Sequence, residues 1–133
     1  MTIWFRGLAE ISMDAPALDP LRAAMYDAEK MRRAEPAFVA WLERYARRVR
    51  QDRLDPQDRR ARMNRVNPRF VLRNYLAQDV IDQAERGDTA GIRELLHVLR
   101  RPYDEQSGSE RFAERRPDWA RNRAGCSMLS CSS

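Results

Sequence analysis

The sequence predicts an all-α protein. Its apolar residues recur at helical spacing in several segments, and the clearest series places Phe38, Trp41 and Tyr45 on one face. Asp-Pro and Asn-Pro pairs precede such segments, where the acid or amide can cap a helix and the proline suits the first turn. No internal repeat appears at the periods of solenoid proteins.

The first predicted helix lies at the N-terminus and has no helix-start signal. Its apolar residues fit one helical stripe: Ile3, Trp4, Phe5, Leu8 and Ile11. A native domain rarely begins with exposed Trp and Phe. We therefore expect this apolar face to need a partner that the chain lacks.

After a predicted loop over residues 12–20, the sequence of the middle of the chain indicates three more helices. A short helix runs from Asp19-Pro20 to about residue 26, and Pro36 opens a longer one that carries the aromatic stripe. Asp55-Pro56 then starts a polar helix with little apolar face. We expect its arginines to face solvent or an acidic surface, and they are Arg59, Arg60, Arg62 and Arg65.

A central helix is predicted from Pro68 to about residue 86, with Asn67 as its N-cap and Gly87 just beyond its end. Its first half is apolar nearly all round, which is typical of a buried helix. Arg73 lies within that apolar half and therefore predicts a buried guanidinium held by a carboxylate or by several carbonyls. Removing such a paired Arg costs about 3–5 kcal/mol.

The last predicted helix is capped by Asp88 or Thr89 and stopped by Pro102. Its apolar face comprises Ile92, Leu95, Leu96 and Leu99. The sole histidine, His97, falls on the opposite side, as expected for a solvated side chain rather than a base or metal ligand. We divide the chain into a helical region over residues 1–120 and a flexible Cys/Ser tail over residues 121–133.

The charge is basic and concentrated in one stretch. Of 25 cationic side chains 24 are arginine, and the formal net charge is +5. Residues 44–73 contain eleven Arg and three Asp, so that stretch carries +8. Arginine favours fixed ion-pair networks as readily as nucleic-acid binding, and we consider nucleic acid the less favoured partner. No apolar run approaches a membrane span and no signal peptide appears, so we expect a cytoplasmic, bacterial protein.

Several motifs resemble those of one family. N-P-R-F-V-L-R-N-Y-L-A-Q, over residues 67–78, resembles the N-P-[KR]-[FY]-V-L-R-N-[YW]-L-A-Q block of the selenoprotein O (SelO, YdiU) family. L-R-R-P-Y-D-E-Q, over residues 99–106, resembles its L-[RK]-x-P-[FY]-x-[ED]-Q segment. P-D-W and the terminal C-S-S fall in order behind them. The matching motif residues include Asn67, Pro68, Arg73, Asn74, Tyr75, Arg101, Pro102 and Tyr103.

The resemblance implies the helical C-terminal portion of a protein-kinase-like (pseudokinase) fold whose kinase core is absent from this chain. Family members transfer AMP from ATP to protein hydroxyl groups, so ATP, Mg²⁺ and protein substrates are implied for the family only. The N-terminal segment resembles the family's interior T-x-F-F-R-x-L. We therefore expect Met1 to fall within a chain that is normally continuous, and the missing core to be the partner of residues 1–120.

The chain lacks the motifs for nucleotide chemistry. Its five glycines are scattered, and G-x-G-x-x-G, G-K-[ST], H-R-D and D-F-G are absent. We therefore expect no catalytic, cofactor-binding or metal-binding residue here. The cysteines are the reactive feature, because thiols on a mobile tail are accessible to oxidants. The resemblance makes Cys131 a redox candidate, with Cys126 as an alternative local partner; two idle thiols are the other interpretation.

Three functional hypotheses follow. The first is that the chain is the C-terminal part of a SelO-like adenylyltransferase, where it completes the fold and carries a redox-sensitive Cys. The second is that it is a free-standing basic module that binds nucleic acid or protein. The third is that it is a non-functional remnant of a split gene, which poor folding with exposed Trp4 and Phe5 would support.

Overall fold

The computed structural model describes residues 1–126 and forms two compact units, divided after Asn67. Within the described residues every regular element is helical, which confirms the all-α prediction. The first unit contains α1 (Thr2–Glu10), α2 (Asp19–Arg22), α3 (Ala28–Gln51) and α4 (Pro56–Val66). The second contains α5 (Asn74–Glu85), α6 (Ala90–Leu99) and two 3₁₀ turns at Glu110–Phe112 and Asp118–Ala120.

The first unit encloses its own apolar core, built from Leu8, Ile11, Leu18, Leu21, Met31 and Leu42. The aromatic stripe of α3 is half-buried against this core, as predicted. Trp4 of α1 contacts it, with ring centroids 5.6 Å from Phe38 and 6.0 Å from Trp41. The expectation that the apolar face of α1 lacks a partner is therefore wrong for Trp4 and Phe5, which are half-buried within this unit.

Two helix bounds in the first unit differ from the prediction. Helix α3 begins at Ala28 rather than at Pro36, because the side chain of Asp27 accepts hydrogen bonds from the backbone N–H groups of Glu29 and Lys30. Pro36 lies inside the helix. Helix α2 ends at Arg22, earlier than predicted. The Asp55 cap of α4 is confirmed, since its carboxylate accepts from the N–H groups of Gln57 and Asp58.

The predicted start of the central helix is wrong. Residues 68–73 are not helical, and α5 begins at Asn74 with Arg73 as its N-cap. Asn67 is the C-cap of α4 rather than the N-cap of α5: its side-chain Nδ2 donates to the carbonyl oxygen of Met63 at 2.8 Å. A residue before proline is pushed out of the helical region, so Asn67-Pro68 ends one helix instead of starting the next.

The second unit encloses a core that joins α5 and α6 to the segment before α5 and to the segments after α6. Its buried members are Phe70, Tyr75, Leu76, Val80, Leu95, Val98, Phe112, Ala120 and Cys126. Gly87 follows the C-cap of α5 with a φ of 91°, a left-handed conformation that glycine adopts without strain, as predicted. On α6, Leu95 is buried as expected, whereas Ile92 and Leu96 are 41% and 50% exposed.

Candidate functional site

The two longest sequence motifs meet in the second unit. The carbonyl oxygen of Pro102 accepts hydrogen bonds from the N–H groups of Arg69 and Phe70, at 2.7 and 3.0 Å. The Arg69 guanidinium also pairs with the carboxylate of Glu105. Because residues 68–73 are not helical, their N–H groups are free to bond a segment that lies more than thirty residues later in the sequence. We call this assembly of residues 68–75, 101–106 and 112–119 the motif junction.

Arg73 and Tyr75 connect the junction to its third segment. The two terminal nitrogens of Arg73 donate to the carbonyl oxygens of Phe112 and Ala113, at 3.0 and 3.3 Å. The Tyr75 hydroxyl donates to the carbonyl oxygen of Glu114 at 3.1 Å. Arg73 is half-buried rather than buried, and it is held by carbonyls, which were one of the two kinds of partner that the sequence predicted; the carboxylate alternative is not what these contacts show.

The end of α6 is closed by a side chain of the same motif. The amide nitrogen of Gln106 donates to the carbonyl oxygens of Val98 and Arg101, at 3.0 and 2.8 Å. The Val98 carbonyl belongs to the last turn, where a helix leaves its acceptors without internal partners, and Arg101 follows the C-cap. The Arg101 side chain is exposed, and Tyr103 is 46% exposed. The contribution of Arg101 and Pro102 to the junction is therefore through their backbone.

Two carboxylates near the junction have lowered pKa values. The pKa of Glu110 lies below its ordinary value because its own N–H and that of Gly108 donate to its carboxylate, and the Arg69 charge adds to this. The pKa of Asp82 on α5 is lowered chiefly by a hydrogen bond from the Gln78 side chain, and then by Arg123. Both carboxylates are therefore held in the charged form and act as hydrogen-bond acceptors, not as general acids.

Cys126 differs from the prediction. It is buried, with 3% exposure, as a free thiol within the core of the second unit. The expectation that it is accessible to oxidants is wrong, because packing removes the thiol from solvent. Cys131 lies outside the described residues. Whether residues 121–133 form a flexible tail stays a prediction.

Among the residues that the structure describes, the most deeply buried cation lies in the first unit, and it was not predicted. Arg59 of α4 is 7% exposed, and its terminal nitrogens donate to the carbonyl oxygens of Leu8, Ala9 and Ile11, at 3.4, 3.0 and 2.8 Å. These acceptors form the C-terminal end of α1, which has no basic residue in its own last turn. The four arginines of α4 look alike in the sequence, so no local signal singles out Arg59.

Helix α1 supports α4 in return. The Nε of Arg6 donates to the carbonyl oxygen of Asn67 at 2.8 Å. A terminal nitrogen of Arg6 donates to the carbonyl oxygen of Asn64 at 3.4 Å. Each of the two helices thus supplies an arginine to the C-terminal end of the other. Arg60 adds an ion pair with Glu10, 2.9 Å long. The polar face of α4 is therefore partly a helix-packing surface rather than a solvent-facing one.

A groove of about 480 Å³ lies beside this pair, between the ends of α1 and α3 and the start of α4. Two of its cations are already engaged, since Arg50 donates to the carbonyl oxygen of Met13 at 2.5 Å and Arg60 pairs with Glu10. Its lining includes Ser12 and Gln57 but no histidine or cysteine. The lining carboxylates are Glu10 and Asp14, and Glu10 is already paired with Arg60.

Clustered metal-ligating side chains and open helix N-terminal ends are the features that could contact the Mg²⁺ or the phosphates of the ATP that the family resemblance implies. Within residues 1–126 no three His, Cys, Asp or Glu side chains group closely enough to hold a metal ion. The N-terminal ends of α3 and α4 are occupied by the chain's own Asp27 and Asp55. His97 is exposed on α6. In the same described part, no helix is both long enough and apolar enough to cross a membrane.

Comparison with known proteins assigns the family. A family model described as "Protein adenylyltransferase SelO" matches residues 4–100. The chain belongs to the SelO family. It is similar over its whole length to proteins named "Protein nucleotidyltransferase YdiU": it is 65% identical to one from Aromatoleum aromaticum and 59% identical to one from Xanthomonas euvesicatoria. It spans about a quarter of the length of these relatives, 25% and 26% respectively.

The SelO-family resemblance seen in the motifs is thus confirmed. In this family member the N-P-R-F-V-L-R-N-Y and L-R-R-P-Y-D-E-Q motifs bond to each other through backbone groups, and P-D-W follows at the edge of the same core. Trp119 lies edge-on to Tyr75, with ring centroids 6.4 Å apart. The described motif residues therefore build a structural junction.

Proposed function

We propose that this chain is the C-terminal helical portion of a SelO-family protein adenylyltransferase, which transfers AMP from ATP to hydroxyl groups of proteins. The family match over residues 4–100 carries this proposal, together with the coverage of about a quarter of each relative. ATP, Mg²⁺ and the protein substrate are assigned to a kinase-like core that this chain does not contain. This chain completes the fold through its helices and the motif junction.

The test uses a full-length chimera, defined as the Aromatoleum aromaticum relative with its matched quarter replaced by this chain. The chimera is expected to transfer labelled AMP from ATP to protein in the presence of Mg²⁺. The same protein without that quarter serves as the comparison and is expected to lose the transfer. Failure of the chimera, with the parent relative active in the same assay, would overturn the proposal.

The redox part of the proposal concerns Cys131. In the full-length chimera, Cys131→Ser is expected to abolish any change of AMP transfer between oxidising and reducing buffers. Cys126→Ser is the matched control, because a buried thiol does not react and its substitution is expected to leave the redox response intact. An unchanged redox response in Cys131→Ser would remove this cysteine from the proposal.

The nucleic-acid alternative has lost much of its support. Of the eleven arginines in residues 44–73, six are held by contacts within the chain: Arg48, Arg50, Arg59, Arg60, Arg69 and Arg73. The remnant hypothesis is also less favoured, since Trp4 and Phe5, whose exposure would support it, are half-buried. A cytoplasmic, bacterial setting remains part of the proposal.

A further inference from the structure

One side of the α5–α6 hairpin exposes apolar side chains that the core of the second unit does not use. Leu76, Val80, Leu95 and Val98 turn inward and are buried. In contrast, Ile81, Ile92 and Leu96 are 45%, 41% and 50% exposed. We call these three side chains the hairpin face.

The three side chains lie on the same side of the hairpin. A loop of four residues, 86–89, joins α5 to α6, so the helices are antiparallel neighbours. Gly91 lies against Val80: a Cβ added to Gly91 would be 3.3 Å from a Val80 methyl carbon. Along an α-helix each residue is rotated by about 100° about the helix axis from the one before it. Because the two helices are right-handed and run in opposite directions, the residue after Val80 and the residue after Gly91 point to the same side of the hairpin. Ile81 and Ile92 therefore share a side, and Leu96 lies one turn after Ile92.

Cations border the hairpin face. Arg93 and Arg100 lie one turn before and one turn after Leu96, and both are exposed. Arg93 donates to the hydroxyl of Thr89 at 3.1 Å, and within the described residues neither arginine has a carboxylate partner. Glu85 is exposed at the end of α5, so the α5 edge of the face is not cationic. An apolar centre with a charged rim is typical of a docking surface, and the α6 edge of this one fits a partner whose rim carries carboxylates.

The size of the face indicates which partner it fits. A stable complex between separate proteins buries about 1,200–2,000 Å², much more than three half-exposed side chains provide. A partner in the same polypeptide avoids the cost of lost translational and rotational freedom, so a small apolar contact is sufficient. The relatives contain about three times more chain than the portion that this sequence matches.

We infer that the hairpin face docks against the preceding part of the same SelO-family polypeptide, on an apolar surface flanked by acidic side chains. This inference rests on the proposed function only in taking that preceding part to be present. Docking would bury Ile81, Ile92 and Leu96 and would provide carboxylates for Arg93 and Arg100. The hairpin would then be the element by which this portion is attached to the rest of the enzyme.

The test measures thiol accessibility in the folded full-length chimera. Leu96→Cys and Val39→Cys are labelled with a maleimide, and the labelling of the unsubstituted chimera is subtracted. Leu96 is 50% exposed and Val39 is 41% exposed on α3, so the two sites are matched. If the hairpin face is docked, Cys at position 96 reacts at least about tenfold more slowly than Cys at position 39, since a buried thiol is inert. Equal rates would overturn the inference.

A stability measurement gives a second readout. The double variant Ile92→Glu/Leu96→Glu is expected to lower the thermal midpoint of the chimera by about 5 °C or more, because it buries two charges. The matched control Val39→Glu/Val66→Glu alters two exposed apolar side chains elsewhere and is expected to remain within about 1 °C. A double variant with the same thermal midpoint as the parent chimera would contradict docking. If this variant does not fold, the labelling experiment still tests the inference.

The outcomes separate this inference from the proposed function. AMP transfer with a freely labelled position 96 would reject the docking alone, whereas protection without AMP transfer would reject the proposed activity alone. Protection that increases with protein concentration, together with a doubled mass in sedimentation equilibrium, would mean that a second copy covers the face. That result would also overturn the inference.

Discussion

The α1–α4 pair and the motif junction use the same kind of contact in different surroundings. In the pair, Arg59 is 7% exposed and joins three carbonyls at the end of one helix to the first turn of another. In the junction, Arg73 is half-buried and joins the start of α5 to the carbonyls of an irregular segment. Neither of these arginines pairs with a carboxylate at those contacts. In both regions, therefore, guanidinium groups satisfy backbone acceptors.

This use accounts for part of the preference for arginine, which provides 24 of the 25 cationic side chains: Arg6 and Arg50 also donate to backbone carbonyls. A guanidinium is planar and has five donors in a fixed arrangement, whereas a lysine ammonium is a compact point charge. A guanidinium can therefore donate to several neighbouring carbonyls at the same time, whereas an ammonium would leave some of them without a hydrogen bond. The basic composition, which resembles a nucleic-acid-binding signature, is thus partly a packing device.

The largest effect is expected in the junction, at Phe70. It is 1% exposed, so Phe70→Ala is expected to destabilise the chain by about 3–5 kcal/mol through lost burial and a cavity. Leu72→Ala, two residues away and 58% exposed, is the matched control and is expected to cost less than about 1 kcal/mol. Urea unfolding followed by circular dichroism measures both. Similar costs would mean that residues 68–73 do not pack as described.

The α1–α4 pair is expected to respond next most strongly. Arg59→Ala leaves three carbonyls without their donor and is expected to cost about 3 kcal/mol in the free energy of unfolding. Arg59→Lys is expected to recover less than half of this loss, because an ammonium replaces a planar group. Arg62→Ala on the same helix is exposed and is expected to be nearly neutral. If Arg59→Lys were as stable as the parent, a planar guanidinium would not be needed at this position, which would contradict the distinction between arginine and lysine.

A smaller effect is expected at Arg73. Its two carbonyl partners are only partly shielded, so Arg73→Ala is expected to cost about 1–2 kcal/mol rather than the 3–5 kcal/mol of a buried pair. The comparison with Arg59→Ala under the same unfolding conditions tests whether burial sets the difference. A cost at Arg73 equal to that at Arg59 would show that exposure does not decide the strength of these contacts.

The smallest effect concerns pH and Asp82. Its pKa is lowered in the folded chain, so the bonds from Gln78 and Arg123 contribute stability above its ordinary pKa of 3.8, and this contribution is lost as the pH falls through the folded pKa. Asp82→Asn is therefore expected to be less stable than the parent at pH 6 and to approach it near pH 3. Unfolding curves at both pH values measure this, with Arg123→Gln expected to show the same trend. If the difference in stability between Asp82→Asn and the parent were the same at both pH values, ionisation of Asp82 would not contribute to folding as expected.

Local patterns predicted the features that neighbouring residues determine. The α3 stripe, the Asp55 cap and Gly87 behind α5 all depend on residues within one or two turns. The start of α5 was mispredicted because the N–H groups of Arg69 and Phe70 bond to Pro102, an acceptor that no local pattern reveals. Long-range contacts, not propensity, decide that segment.

The site was harder to predict than the fold for the same reason. The motifs identified the family and the segments of the junction, but not that those segments bond to each other. Arg59 looked like its exposed neighbours on α4, and Cys126 looked like part of an open tail, yet both are buried by elements distant in the sequence. Burial of a single polar or thiol side chain is a property of the assembled core.

The shared carbonyl of Pro102 has a consequence for the order in which this unit opens. Its bonds to Arg69 and Phe70 close a loop that contains the whole of α5 and α6. Because Phe70 at this closure packs in the same core as both helices, the loop is expected to behave as one cooperative unit in hydrogen exchange. The amides of Arg69 and Phe70 should then exchange together with those of the inner turns of α5, at a rate that reports on the loop as a whole.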